Sequence, residues 1–357
     1  MKNVNFHSCI KIDRKIWFVS VEGYLMNFDT ITYQSEIIAP NNLFELCFKS
    51  VIDNMISVGK VIYFVEQDGT KLYGYNLHTN DCTYYLIPDT KYINWGCFSG
   101  IYLSDQTIYL FTRTAEVIYC FDIISQKFTS IITEKKDIVQ GSFRIQNKVY
   151  LYGENVLCFD MDSHSFGDEI YLEEGTIFWM NSYKNTIFFL TKNRLGIWNE
   201  NDKSERSLYE EKALADKFLV FLTTENRMFL LPNQSGNILI LDRETGNASY
   251  AVSPNDLYYI EKGWAKYWGY TEEEKYIWYA SRVSNYVLSI DKENEEIKWI
   301  KLKKPELKTE IPYLELLDKS FFSENEITLE QFCLIGNNRL HDSKSLCGEE
   351  IWRNLRE

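Results

Sequence analysis

The sequence predicts an all-β fold, a closed ring of seven four-stranded antiparallel sheets, and three observations predict it. First, an apolar or aromatic residue followed by Asp or Asn recurs seven times, at Phe28-Asp29, Tyr75-Asn76, Phe121-Asp122, Phe159-Asp160, Trp198-Asn199, Leu241-Asp242 and Ile290-Asp291. The intervals are 47, 46, 38, 39, 43 and 49 residues, about 44 on average, which is the length of one four-stranded repeat in a β-propeller. Second, a short apolar run precedes every one of these anchors: 16–19, 61–64, 107–111, 148–152, 186–190, 227–231 and 276–279. Such runs are too short and too rich in aromatic and β-branched residues for helices, and they suit strands buried between sheets. Third, 25 Tyr, 22 Phe and 9 Trp make 16% of the 357 residues, a supply of side chains that fit half-buried pleated surfaces. The prediction is therefore a seven-bladed β-propeller over residues 1–302 with a short helical C-terminal extension over 303–357.

The elements follow in order. The innermost strand of each blade precedes the apolar run, as at 6–12, 100–103, 142–145 and 218–222. The apolar run is the second strand. The third strand ends in the anchor, as at 117–122, and the outer strand follows the turn, as at 127–132 and 296–302. Three residues past each anchor stands a second small polar residue, in order Thr32, Thr79, Ser125, Ser163, Asp202, Thr245 and Asn294. Asp, Asn, Ser and Thr bond to backbone two or three positions on and so fix a tight turn. A turn is needed in every blade, whereas an active site is singular, so the acidic anchors read as structural. The first repeat (1–40) and the last (262–302) each hold four strands of their own. The expected closure is face-to-face packing of blades 1 and 7 without a strand exchanged between the termini.

The repeated apolar–Asp–x–x–Thr/Ser turn, set after strands of Leu, Ile, Tyr and Phe, resembles β-propellers of the broad kelch-like or quinoprotein-like bacterial kind over residues 1–302. The Gly-Gly pair of kelch blades and the Gly-His…Trp-Asp pattern of WD40 blades are absent, so the resemblance implies the architecture and no catalytic or cofactor residue. It also implies an interaction scaffold more often than an enzyme with a site at the mouth of the central channel.

Composition narrows the function classes. The 38 Lys and Arg against 51 Asp and Glu leave a net charge of −13, which disfavours nucleic acid and anionic membrane as partners. No run approaches the ~18 apolar residues of a membrane span. Polar residues interrupt every apolar stretch near the start of the chain, so a soluble, cytoplasmic protein is expected. The eight cysteines form no C-x-x-C, and most lie inside apolar stretches (Cys47, Cys120, Cys158), which reads as buried structural cysteine. Four histidines stand at 7, 78, 164 and 341 with no two close together, so no metal site is expected. His78 and His164 fall in anchor turns. No G-x-G-x-x-G, G-x-x-x-x-G-K-[ST] or G-x-S-x-G occurs, and no cofactor is expected. Paired carboxylates such as Glu210-Glu211 and Glu295-Glu296 read as solvated loop residues.

Binding residues belong on the loops of a rigid ring. The candidates are aromatics just ahead of innermost strands: Trp95, Trp179, and Trp264, Tyr267 and Trp268 in GWAKYWGY. Their flat rings suit a protein partner's core contacts or the faces of a sugar. In the extension, Ser323-x-x-Glu326 and Thr328-x-x-Gln331 fit capping boxes. Phe332, Ile351, Trp352 and Leu355 are candidate partner-docking residues on short helices. The expected function is a non-enzymatic scaffold for a protein partner. The alternative is a carbohydrate-binding or carbohydrate-processing propeller.

Overall fold

Continuously apolar second and third strands need cover on both faces, and stacking sheets side by side around an axis provides it. The computed structural model describes residues 9–19, 25–38, 52–66, 70–88, 98–135, 137, 139–167, 169–172, 175–184, 186–199, 204–232, 237–254, 270–280, 286–301 and the pairs 306–307, 322–323 and 326–327. In it each repeat is one antiparallel sheet whose four strands run in sequence order from the axis outward. The seven blades span 10–38, 52–86, 98–132, 139–166, 179–210, 218–251 and 270–301. The innermost strands of blades 1 to 6 adjoin in succession, and that of blade 7 (Tyr270–Glu272) meets that of blade 1 (Ile10–Ile12). Burial falls from the inside out: all of Leu25–Asp29, the third strand of blade 1, is buried, whereas Lys127–Ile132, the outer strand of blade 3, alternates between exposed and half-exposed.

The anchors form the turns that the spacing predicts. Asp29 Oδ1 accepts the backbone N–H groups of Ile31 and Thr32, both at 2.9 Å. Asn76 does the same for His78 and Thr79, Asp160 for Asp162 and Ser163, Asp242 for Glu244 and Thr245, and Asp291 for Glu293 and Asn294. Asp122 accepts the N–H of Ser125 at 2.6 Å. The turn of Asn199 lies outside the described residues. Four residues past the anchor the chain turns left-handed in these six blades, at Tyr33, Asn80, Gln126, His164, Gly246 and Glu295. Of these, Asn80, His164 and Gly246 are residue types that visit that backbone readily, and Tyr33, Gln126 and Glu295 are not. The turn is therefore held by the anchor's oxygen, and this position pays in strain.

The short intervals of 38 and 39 residues come from blade 4, whose outer strand is only Ser165–Phe166, and from a tight link between Lys148–Gly153 and Val156–Asp160. Three expectations need correction. Blades 1 and 7 are each complete, and their seam is a cluster that includes Ile16, Phe28, Trp278 and Ile300. Yet a strand from near the C-terminus is exchanged, because Glu306–Leu307 pairs in parallel with Glu36 and Ile37 on the outer edge of blade 1. The edge of blade 1 is otherwise an unpaired strand edge, and the passing chain pairs with it over two residues. In the extension, Ser323 and Glu326 are register partners of a small hairpin between Phe322–Ser323 and Glu326–Ile327, not a helix cap. Among the described residues the one helix is Leu214–Lys217, a single turn between blades 5 and 6. Glu295 is not a solvated loop residue: it is buried and takes the hydroxyl of Thr224 (2.6 Å), the N–H of Asn226 (3.0 Å) and the guanidinium of Arg227 (3.2 Å), latching blade 7 to blade 6.

Candidate functional site

The blades are repeats, so a site shows itself where one blade departs from the others. In each blade the second residue before the anchor pairs with an aromatic residue of the second strand. The pairs are Trp17 with Asn27, Tyr63 with Gly74, Tyr109 with Cys120, Tyr150 with Cys158, Phe188 with Ile197, Phe229 with Ile240 and Trp278 with Ser289. The aromatic is a constant of the fold. Its partner is small or apolar in six blades and an amide, Asn27, in blade 1.

Asn27 opens a polar row across blade 1. Trp17, Asn27 and Glu36 are register partners on the second, third and outer strands, and side chains in register share a face. Asn27 Nδ2 donates to Glu36 Oε2 at 3.1 Å, and Lys15 Nζ donates to the same oxygen at 2.6 Å. The carboxylate can only accept, so it fixes which end of the amide faces it. Asn27 is 1% exposed, and its Oδ1 has no hydrogen-bond partner.

This row forms one wall of a cleft of about 630 Å³ between blades 1 and 2. The opposite wall is the end of blade 2's third strand and its anchor turn, with Tyr75, Leu77, His78 and Asn80; Arg14 and Lys60 come from the hairpins at the mouth. The Trp17 and Tyr75 rings stand 5.9 Å apart and tilted by 45°. Where blades 3 and 4 place Phe121 and Phe159, blade 2 places Tyr75, and its hydroxyl donates to Asn80 Oδ1 at 2.7 Å. Burial, with smaller contributions from Cys82 and Glu36, pushes the Tyr75 phenol up to about 12, so it stays protonated. The charges lie in matched pairs: Arg14 Nε meets Asp29 Oδ2 at 2.7 Å, beside the Lys15–Glu36 pair.

On the innermost strand of blade 7, the Tyr270 phenol is buried and accepts a hydrogen bond from Asn181 Nδ2 of blade 5 (3.1 Å), and burial holds it well above its ordinary pKa. Tyr102 bonds Ser142 at 2.9 Å, joining blades 3 and 4.

Of the residues that the sequence singles out for binding, Trp179 is the first residue of the innermost strand of blade 5, pairs with Leu190 and is 2% exposed in the core shared by blades 5 to 7. Its ring fills a seam and offers no face to a ligand, which corrects its place among the candidates. Trp95, Trp264, Tyr267 and Trp268 lie outside the described residues, as do Phe332, Ile351, Trp352 and Leu355 of the extension. His78 and His164 are exposed turn residues, and His164 Nε2 bonds the Tyr109 hydroxyl at 2.8 Å. Cys9, Cys82 and Cys120 are buried, and burial pushes the thiols of Cys82 and Cys120 up to about 12. Among the described residues no three His, Cys, Asp or Glu side chains gather as metal ligands would, and no helix is long and apolar enough to cross a membrane. The cleft residues are spread in separate stretches over 12–80 and form no single cluster in the sequence. The signal that finds them is the break in the repeat at Asn27.

No protein-family model matches the chain, and no curated protein matches it. Solved structures share its fold. PorZ, a bacterial surface component of the type-IX secretion system of Porphyromonas gingivalis, matches 85% of this chain at 10% identity with a TM-score of 0.58. The extracellular domain of the putative hybrid two-component system BT3049 from B. thetaiotaomicron matches 83% at 16% identity and a TM-score of 0.57. The WD40 β-propeller domain of Doa1 matches 79% at 9% identity and a TM-score of 0.55. The chain spans 38% of the PorZ chain, 40% of the BT3049 chain and 90% of the Doa1 domain. At these identities the likeness is one of fold: a β-propeller.

Proposed function

We propose that the chain is a non-enzymatic interaction scaffold that holds a protein partner on the face carrying the anchor turns. The observation behind this reading is the uneven chemistry of that face. Two residues past the anchor, blades 1 and 3 carry Ile31 and Ile124, 69% and 70% exposed. Blades 4, 6 and 7 carry exposed Asp162, Glu244 and Glu293 at the same place. The turn is made by the anchor's oxygen and gains nothing from an isoleucine at its tip. The apolar tips on one arc and the carboxylates on the other suit a partner with an apolar centre and a basic flank. In this reading the kelch-like or quinoprotein-like turn motif is the frame on which the tips are displayed.

The test is affinity capture with three baits: the full chain, the Ile31→Glu/Ile124→Glu variant, and a chain lacking residues 303–357. A partner held by the full chain and by the truncated chain but lost from the double variant supports the turn face. A partner kept by the double variant and lost on truncation moves the site to the extension and overturns the reading.

A further inference from the structure

We propose that the cleft between blades 1 and 2, which opens beside the anchor turn of blade 2, is a binding site for a neutral, hydroxyl-rich ligand, a mono- or disaccharide, in addition to the protein partner of the turn tips. The cleft's volume of about 630 Å³ falls within the ~300–1,000 Å³ of small-molecule sites. Its charges argue for a neutral occupant. Arg14, Lys15 and Lys60 are balanced by Asp13, Glu36 and the adjacent Asp29, and two of these pairs are in contact. A charged ligand that draws on Arg14 or Lys15 gains its counter-ion only by breaking a pair that already exists.

The polar groups argue for hydroxyls. Asn27 Oδ1 is a buried acceptor without a donor, and such an atom costs stability until a donor reaches it. The Tyr75 O–H donates to Asn80 Oδ1, and its oxygen keeps a lone pair to accept from the ligand. Lys15 and Arg14 supply N–H donors beside these acceptors. A group that both donates and accepts at closely spaced points is a hydroxyl. The Trp17 and Tyr75 rings add an apolar surface for the C–H face of a sugar ring.

The repeat supplies the control. Six blades place a small or apolar residue, never an amide, on the third strand opposite the recurring aromatic. The aromatic is therefore explained by the fold, and Asn27 with its Glu36 partner is what the fold does not explain.

The experiment is saturation-transfer difference NMR on the full chain with glucose, galactose, mannose, N-acetylglucosamine, maltose and cellobiose, and with glycylglycine as a zwitterionic comparison. Transfer to at least one sugar, with a Kd in the millimolar range or tighter, is expected. Asn27→Leu is expected to weaken it about tenfold, and Tyr75→Phe by a few fold. Tyr75→Phe should fold as the parent does, because blades 3 and 4 carry Phe121 and Phe159 at that position, so it keeps the test decisive if Asn27→Leu fails to fold. Val252→Glu, 73% exposed just past the outer strand of blade 6, should leave sugar binding unchanged. Silence from all six sugars overturns the proposal, as does transfer to glycylglycine alone, or sugar binding that survives Tyr75→Phe and Asn27→Leu undiminished.

Discussion

The seam between blades 1 and 2 and the block of blades 5 to 7 are built from the same repeat and packed differently. Among the described residues, blades 5 to 7 share one buried cluster of 23 side chains across two seams, Phe229 among them. The cluster joining blades 1 and 2 holds ten across one seam; what sets this seam apart is that beside it the apolar wall gives way to the Asn27–Glu36–Lys15 row. The dry seam contributes cohesion in proportion to the area it removes from water. The wet one gives up some of that cohesion and gains a recess with fixed polar groups. A repeat protein can specialise one seam in this way because its neighbours carry the fold.

The largest test of that contrast is truncation on either side of it. Phe229→Ala deletes a fully buried ring in the shared cluster, and denaturant unfolding should show a loss of about 3–5 kcal/mol. Ile12→Ala trims a half-buried side chain at the cleft wall and should cost about 1 kcal/mol or less. Equal losses at the two sites would mean that the seams are equally dense and that the contrast is wrong.

A second pair of substitutions probes the left-handed position of the anchor turn. Gly246 has φ of +73°, and a Cβ there would lie 2.4 Å from the carbonyl oxygen of Leu208 on blade 5. Gly246→Ala should cost about 2–4 kcal/mol, from backbone strain and the clash together. Gln126 holds the same backbone in blade 3 at φ of +56°. Gln126→Gly relieves the strain at some cost in chain entropy, so a gain of up to about 1 kcal/mol is expected by thermal melting. The sign change between the two blades is the point to check.

The ring was legible in the sequence because its signal is repeated: seven anchors at blade-length spacing leave little room for another architecture, and the second and third strands follow from their apolar runs. What was missed is what happens once. Asn27 was visible as a residue but not as a departure until its register with Trp17 aligned it with Gly74 and Cys120. Glu295 looked like half of a solvated pair with Glu296, yet the left-handed turn at Glu295 accompanies a carboxylate bound to the hairpin of blade 6. The Glu306–Leu307 strand joins residues 270 positions apart, a pairing that local spacing cannot carry. The Ser323-x-x-Glu326 pattern reads the same in a helix cap as in a short hairpin, because both use residues three apart.

The smallest expected effect sharpens the comparison between acidic and amide anchors. Backbone N–H groups hold three anchor carboxyls below their ordinary value of 3.8: chiefly that of Ser125 for Asp122, of Ser163 for Asp160 and of Thr245 for Asp242. A carboxyl whose folded pKa is depressed stabilises the fold fully above its unfolded pKa, and that contribution is lost as pH falls through the folded value. Blade 2 makes the same turn with Asn76, which cannot titrate in this range. The triple variant Asp122→Asn/Asp160→Asn/Asp242→Asn should therefore keep its fold, since an amide oxygen accepts the same bonds. Its melting temperature, followed from pH ~7 to pH ~3, should fall less steeply below pH ~4 than that of the parent chain. Parallel curves would show that the acid sensitivity of the ring lies in its interblade ion pairs instead, such as Lys11 with Glu273 at the seam of blades 1 and 7.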